Sequence, residues 1–131
     1  MHDAVQVLVV EDDQAVQSMI ADALTDGGFE LAIAASGEEA LPLLGGDIEK
    51  YRALITDINL VGKLDGWAVA RRARELKPDF PVIYMTGAAV SEWPSQGVPH
   101  SVLLAKPFAP AQLVTALAQL LNAGSPSTAA E

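Results

Sequence analysis

Apolar positions along this chain alternate between two patterns. Short, mostly apolar runs occur at Val5 to Val10, Phe29 to Ala34, Arg52 to Thr56, Pro81 to Met85 and Val102 to Ala105. Between them, apolar residues return at helical spacing: Val16, Met19, Ile20, Ala23 and Leu24; Ala40, Leu41 and Leu44; Val69, Ala70, Ala73 and Leu76; then Leu113, Val114, Leu117, Leu120 and Leu121. The runs read as strands buried on both faces, and the spaced sets as helices with one inward stripe.

Punctuation agrees with this division. Gly27-Gly28 ends the first helix, Ser36-Gly37-Glu38-Glu39 has the form of a capping box, and Asp65 is a good N-cap for the third helix. Pro42 predicts a short or kinked second helix, and Pro78 stops the third. Pro110 suits a first helical turn, and Gly124-Ser125-Pro126 breaks the last helix. Val90 to Pro99, with Pro94, Gly97 and Pro99, has room for a short helix at most. Five strands alternating with helices predict a three-layer α/β fold around a small, doubly wound parallel sheet, because right-handed crossovers put helices on both faces. One domain is expected over residues 1–122, with a flexible tail at 123–131.

Composition narrows the function classes. Half of the 131 residues are hydrophobic and the formal charge is −9, which argues against disorder and against binding nucleic acid or an anionic membrane. There is no cysteine and no apolar stretch long enough to span a bilayer, so a soluble, cytoplasmic protein is expected.

Four of the apolar runs end in side chains suited to phosphate or metal chemistry: Glu11-Asp12-Asp13, Asp57, Thr86 and Lys106. Ligands of parallel sheets bind beyond the carboxyl ends of the strands, so these groups should converge. Clustered acids where a nucleotide-binding turn would carry glycines repel phosphate unless a cation lies between. Oxygen ligands alone point to a hard ion such as Mg²⁺. Beside it, Asp57 can act as a nucleophile towards phosphorus, forming an aspartyl phosphate. Thr86 can donate to a phosphoryl oxygen and Lys106 can pair with another. Taken singly, each residue has a plainer role: Asp12 or Asp13 as helix cap, Asp57 as turn residue, Thr86 as strand residue, Lys106 as surface charge.

In combination these motifs resemble the receiver domain of two-component response regulators, from about Val5 to Leu121. The resemblance implies a flavodoxin-like sheet of order 2-1-3-4-5. Glu11 and Asp12 match the family's acidic pair, Asp57 its phosphoacceptor, Asn59 the position whose backbone carbonyl binds the metal, Thr86 its switch hydroxyl, and Lys106-Pro107-Phe108 its signature with a usually cis bond. It further implies Mg²⁺-dependent phosphoryl transfer to Asp57 from the phosphohistidine of a sensor histidine kinase or a histidine phosphotransfer domain. A downstream protein would then be recognised on a switched face formed by the fourth helix, fifth strand and last helix. An output domain is not expected within the chain.

Four departures stand out. The loop Asn59 to Gly66 lacks the usual proline and is one residue longer, Leu103 replaces an aromatic readout residue, Gly87 follows Thr86 in place of Ala, and the fourth helix looks degenerate. Ala88 offers no polar group to a hydrolytic water. A phosphohydrolase is the runner-up, disfavoured because Asn59 cannot protonate a leaving group. A flavin-type binding module is disfavoured by the acid cluster. His2 and His100 lack ligand-spaced partners and should be exposed, Arg71, Arg72 and Arg74 suit a solvated helix face, Trp67 should pack at the site's edge, and Trp93 suits either an exposed partner surface or a local core plug.

Overall fold

The computed structural model describes residues 6–88 and 90–123. The structure consists of β1 (Gln6–Val10), α1 (Gln14–Asp26), β2 (Glu30–Ala34), α2 (Gly37–Gly46), β3 (Tyr51–Asp57), α3 (Gly66–Leu76), β4 (Val82–Thr86), α4 (Trp93–Gln96), β5 (Val102–Ala105) and α5 (Pro110–Ala123). Single 3₁₀ turns at Ile48–Lys50 and Val90–Glu92 precede β3 and α4. The strands form one parallel sheet of order β2-β1-β3-β4-β5, as expected. Of the tail expected over residues 123–131, residue 123 instead closes α5, and 124–131, like His2, lie outside the described residues.

Strand alternation divides the core into two layers. Val7, Val9, Ala53, Ile55, Ile83 and Met85 face α1 and α5, meeting Ile20, Leu24, Leu113 and Leu117. Leu8, Val10, Leu54, Val82 and Tyr84 face the other way, against Ala40 and Leu44 of α2 and Val69, Ala70 and Ala73 of α3. Both faces of the central strands are thus removed from water, which explains their unbroken apolar runs.

The caps follow the sequence signals. Asp13 accepts from the amides of Ala15 and Val16, Ser36 from Glu39, and Asp65 from Ala68; each cap contributes about 1 kcal/mol. Glu39 reaches one residue beyond the reciprocal partner of a capping box, accepting from the Ala35 amide at 2.9 Å in place of that of Ser36. Pro42 lies inside α2 and does not end it; the helix runs ten residues. α3 ends at Leu76, just before Pro78. The fourth helix is a single turn of four residues, as the prolines predict.

Register aligns the functional ends. Val10 pairs with Thr56, Asp57 with Met85, and Thr86 with Ala105. The residues that close β1, β3, β4 and β5 therefore stand along one edge of the sheet.

Candidate functional site

Glu11 leaves β1 with its amide donating to the Ala34 carbonyl at 3.0 Å, which keeps the chain in sheet geometry one residue past the strand. Its side chain is fully buried. Oε2 accepts from the Asp13 amide at 3.1 Å and Oε1 from Lys106 Nζ at 3.0 Å. Gln17, one turn into α1, donates to the Glu11 carbonyl at 2.5 Å. Asp57 closes β3 with only 7 % of its surface exposed, on the same side of the sheet as Ala53 and Ile55. Its Oδ2 accepts from the same Lys106 ammonium at 2.9 Å.

Lys106 thus bridges two carboxylates from strands β1 and β3 while standing just past β5. The Lys106 amide donates to the Thr86 carbonyl at 2.7 Å, and the following Lys106-Pro107 bond is cis. Burial disfavours the ammonium, but the hydrogen bonds and charges of Asp57 and Glu11 outweigh it and raise the lysine pKa. Burial pushes the Glu11 carboxyl up; the Asp13 amide and Lys106 oppose that, while the Asp57 charge adds to it. One ammonium does not fully offset two adjoining carboxylates.

Asp12 supplies a third. Oxygens of Glu11, Asp12 and Asp57 all lie within 4.8 Å of one another, and this is a group of side chains that could hold a metal ion. The donor set is all oxygen and all anionic, with Glu11 and Asp57 buried and Asp12 half-buried, which suits a hard divalent cation. Asn59 lies two residues past β3, exposed, at the start of the connection to α3.

Thr86 is fully buried at the end of β4, and its Oγ1 accepts from the Ala88 amide at 3.1 Å. Gly87 and Ala88 are exposed beyond it. Leu103, beside Tyr84 in register, is half-buried against the α2/α3 layer. The aromatic bulk there belongs instead to Tyr84, wholly buried, edge-on to Trp67 at 4.7 Å between centroids. Trp67 is itself buried at the start of α3.

Three contributors escaped the sequence reading. Gly66 is one: its amide donates to the Ile58 carbonyl at 2.8 Å, and a Cβ there would stand 2.2 Å from the Asp57 carbonyl oxygen. Only glycine lets α3 start against the backbone of Asp57. Gln17 is the second, and Glu38, which reaches the β3–α3 connection, the third. A glycine one residue after an N-cap could have flagged the first; the other two are surface-type residues with no sequence signal.

His100, Arg71 and Arg72 are exposed as expected, whereas Arg74 departs from the expected solvated face and is half-buried. His100 is exposed, at φ +60° in the turn before β5. Arg72 pairs with Glu75 on the exposed face of α3, while Arg74 is partly structural, its Nε donating to the Phe80 carbonyl at 2.6 Å. Trp93 is half-buried, its indole N–H donating to Ser101 Oγ at 3.0 Å, the local plug of the two roles. Among the described residues no helix is long and apolar enough to cross a membrane.

Comparison with known proteins places this geometry. Residues 7–118 match the response regulator receiver domain family. The chain is 34 % identical over 131 residues to the response regulator MprA of Mycobacterium tuberculosis H37Rv, covering 98 % of this chain but 55 % of MprA. It thus spans about half the length of that relative. The response regulator receiver protein CpdR of Brucella abortus is 32 % identical over 120 residues, 90 % of this chain and 98 % of CpdR. A response regulator receiver protein from Sinorhizobium medicae superposes with a TM-score of 0.88 at 42 % identity, over 92 % of this chain and 97 % of that one. A matched sheet order, an acidic pocket at the strand ends and relatives that run the length of the chain lead to one conclusion: this chain belongs to the receiver domain family of two-component response regulators.

Proposed function

We propose that the chain is a Mg²⁺-dependent phosphoacceptor whose acceptor is Asp57. The observation that supports this most directly is Lys106 joined to both Glu11 and Asp57, with Asp12 closing a three-carboxylate cluster. Glu11, Asp12, Asp57 and the Asn59 carbonyl would hold the ion, and Mg²⁺, when bound, neutralises charge on the transferring phosphoryl oxygens.

A carboxylate oxygen of Asp57 attacks phosphorus of a partner's phosphohistidine. The N–P bond breaks as the O–P bond forms, and the imidazole leaves with the proton on its other ring nitrogen. Lys106 moves its donors from the Asp57 carboxylate to a phosphoryl oxygen, meeting charge as it develops. The Thr86 hydroxyl, which now accepts from Ala88, turns to donate to another phosphoryl oxygen. That movement alters the start of segment 87–101 and so the surface offered to a downstream protein. Water attack on phosphorus later restores the carboxylate and releases inorganic phosphate.

The phosphoryl donor in this reading is a sensor histidine kinase or a histidine phosphotransfer domain, in the cytoplasm, with neither nucleic acid nor membrane as a ligand. The charge of −9 supports protein partners over polyanions. The chain is a signalling acceptor that promotes only its own phosphorylation and dephosphorylation.

The test is intact-mass measurement after incubation with acetyl phosphate, with and without Mg²⁺. One phosphoryl group gained with Mg²⁺ alone, and lost in Asp57→Asn, is the expected result. Unchanged mass in protein that binds Mg²⁺ rejects the acceptor role.

A further inference from the structure

Between β3 and α3 the chain carries Val61-Gly62-Lys63, and two carboxylates from different parts of the fold hold it. Asp12 Oδ2 accepts from the Val61 amide at 3.2 Å. Glu38 Oε2 accepts from the Lys63 amide at 2.8 Å. Gly62 lies between them at φ +94°, and a Cβ on it would stand 2.6 Å from Glu38 Oε1. The left-handed backbone at Gly62 favours glycine, and a Cβ there would push aside the tip of the Glu38 side chain that reaches Lys63. Glu38 comes from the first turn of α2, which Ser36 and Glu39 anchor independently of the loop.

We propose that Glu38 is a positioning residue for the divalent-ion site, holding the β3–α3 connection so that the Asn59 carbonyl and the Asp12 carboxylate face the ion together. This rests on the metal reading of Glu11, Asp12 and Asp57 given above. The loop begins at a metal-site residue and has no proline to stiffen it, so its path is set by external anchors. Asp12 is also a candidate ligand, and an anchor drawn towards an ion is a poor sole support for the loop. Glu38 touches no ligand, so its grip is independent of the ion. An exposed carboxylate makes a useful anchor here because a charge-assisted bond to a backbone amide is shorter and stronger than a neutral one. The Lys63 amide is the largest influence lowering the Glu38 carboxyl pKa, with its own amide and that of Leu64 adding to it, so the charged, bonded form is favoured.

The test compares Glu38→Ala and Glu38→Gln with wild type in the full chain, titrating Mg²⁺ alone by calorimetry and following the Lys63 amide by hydrogen exchange in metal-free protein. Gln keeps an acceptor oxygen but loses the charge, so it separates positioning from simple attraction of the cation. Glu38→Ala is expected to weaken Mg²⁺ binding about ten-fold, as for other supports that orient metal ligands. It should also speed Lys63 exchange and leave the melting temperature nearly unchanged, while Glu38→Gln recovers most of the affinity. Wild-type affinity in Glu38→Ala, or equal weakening in both variants, overturns the positioning role and leaves the metal site standing. Wild type that fails to bind Mg²⁺ overturns the metal reading and this role with it.

Discussion

The connections after β3 and after β4 leave the same edge of the sheet, yet they are held in opposite ways. The first, eight residues from Ile58 to Asp65, is tied by carboxylates to its own backbone amides: Asp12 to Val61 and Glu38 to Lys63. The second, from Gly87 to Ser101, is tied by aromatic side chains. The Tyr84 hydroxyl accepts from the buried Val98 amide at 3.0 Å, and the Trp93 indole N–H reaches Ser101. Carboxylate anchors next to a cation site respond to charge, whereas aromatic anchors respond to packing. The difference suits a division in which one connection belongs to the chemistry and the other reports it.

The largest effect should come from the shared end of both regions. Lys106→Met leaves Glu11 and Asp57 adjacent with no counter-charge. Losing one partner of a buried ion pair typically removes about 3–5 kcal/mol. With its side chain a quarter exposed, Lys106 belongs at the low end, about 3 kcal/mol, read from urea unfolding in EDTA. Mg²⁺ should narrow the gap to wild type, because a carboxylate cluster freed of the ammonium binds the cation more tightly, and each ten-fold of extra affinity returns about 1.4 kcal/mol at saturation. Equal losses with and without Mg²⁺ would show that Lys106 acts through packing, not charge. Gly66→Ala should follow closely, at about 2–3 kcal/mol, because the added methyl meets backbone at Asp57 and cannot turn aside. An unaltered urea midpoint would remove the close approach from the account of the site.

These two residues differ in how visible they are before folding. Lys106 is legible because an apolar run leads into a lone cation, and Glu11, Asp12, Asp57 and Thr86 are legible in the same way. A parallel sheet gathers its strand ends, so period and polarity together place them. Gly66 reads only as a turn residue, since its partner is a carbonyl nine residues earlier, brought near by the path of the connection. Glu38 is hidden for a similar reason. The capping box places it on an exposed first turn, but nothing local says that Gly62 passes beneath it. The fold was more legible than the loops because strand register follows from burial, while loop paths depend on single long-range hydrogen bonds. Pro42 shows the limit of local rules, for α2 continues through it.

Tyr84→Phe sharpens the contrast on the other side. The ring stays against Trp67, and only the acceptor of the Val98 amide is lost. An orphaned buried amide costs about 1–3 kcal/mol. Because Val98 keeps 8 % exposure, about 1–2 kcal/mol is expected at neutral pH, with Mg²⁺ affinity unchanged. Burial raises the Tyr84 pKa, so its stabilisation is complete below the unfolded value of 10.0 and declines as pH rises through the higher folded one. The gap between wild type and Tyr84→Phe should therefore hold from neutrality to pH 9 and narrow above the unfolded value. A changed Mg²⁺ affinity in this variant would mean the two connections are coupled in the unphosphorylated protein.

The smallest effect should be at Arg71, whose guanidinium spans α3 and α4. It donates to the Gln96 carbonyl at 3.4 Å and to Gln96 Oε1 at 3.5 Å, both in exposed positions. Long, solvent-exposed bonds of this kind contribute little, because water replaces them and the arginine regains rotamer freedom. Arg71→Ala should shift stability by no more than about 0.5 kcal/mol. Its interest lies in the comparison with Glu38→Ala, since both remove an exposed side chain that crosses to a neighbouring element. If connections are held by their type of anchor, the Glu38 change should be felt in Mg²⁺ affinity and the Arg71 change in neither affinity nor stability. A stability loss at Arg71 as large as that at Tyr84 would show that α4 is held from the α3 side. Aromatic packing would then no longer distinguish the second connection from the first.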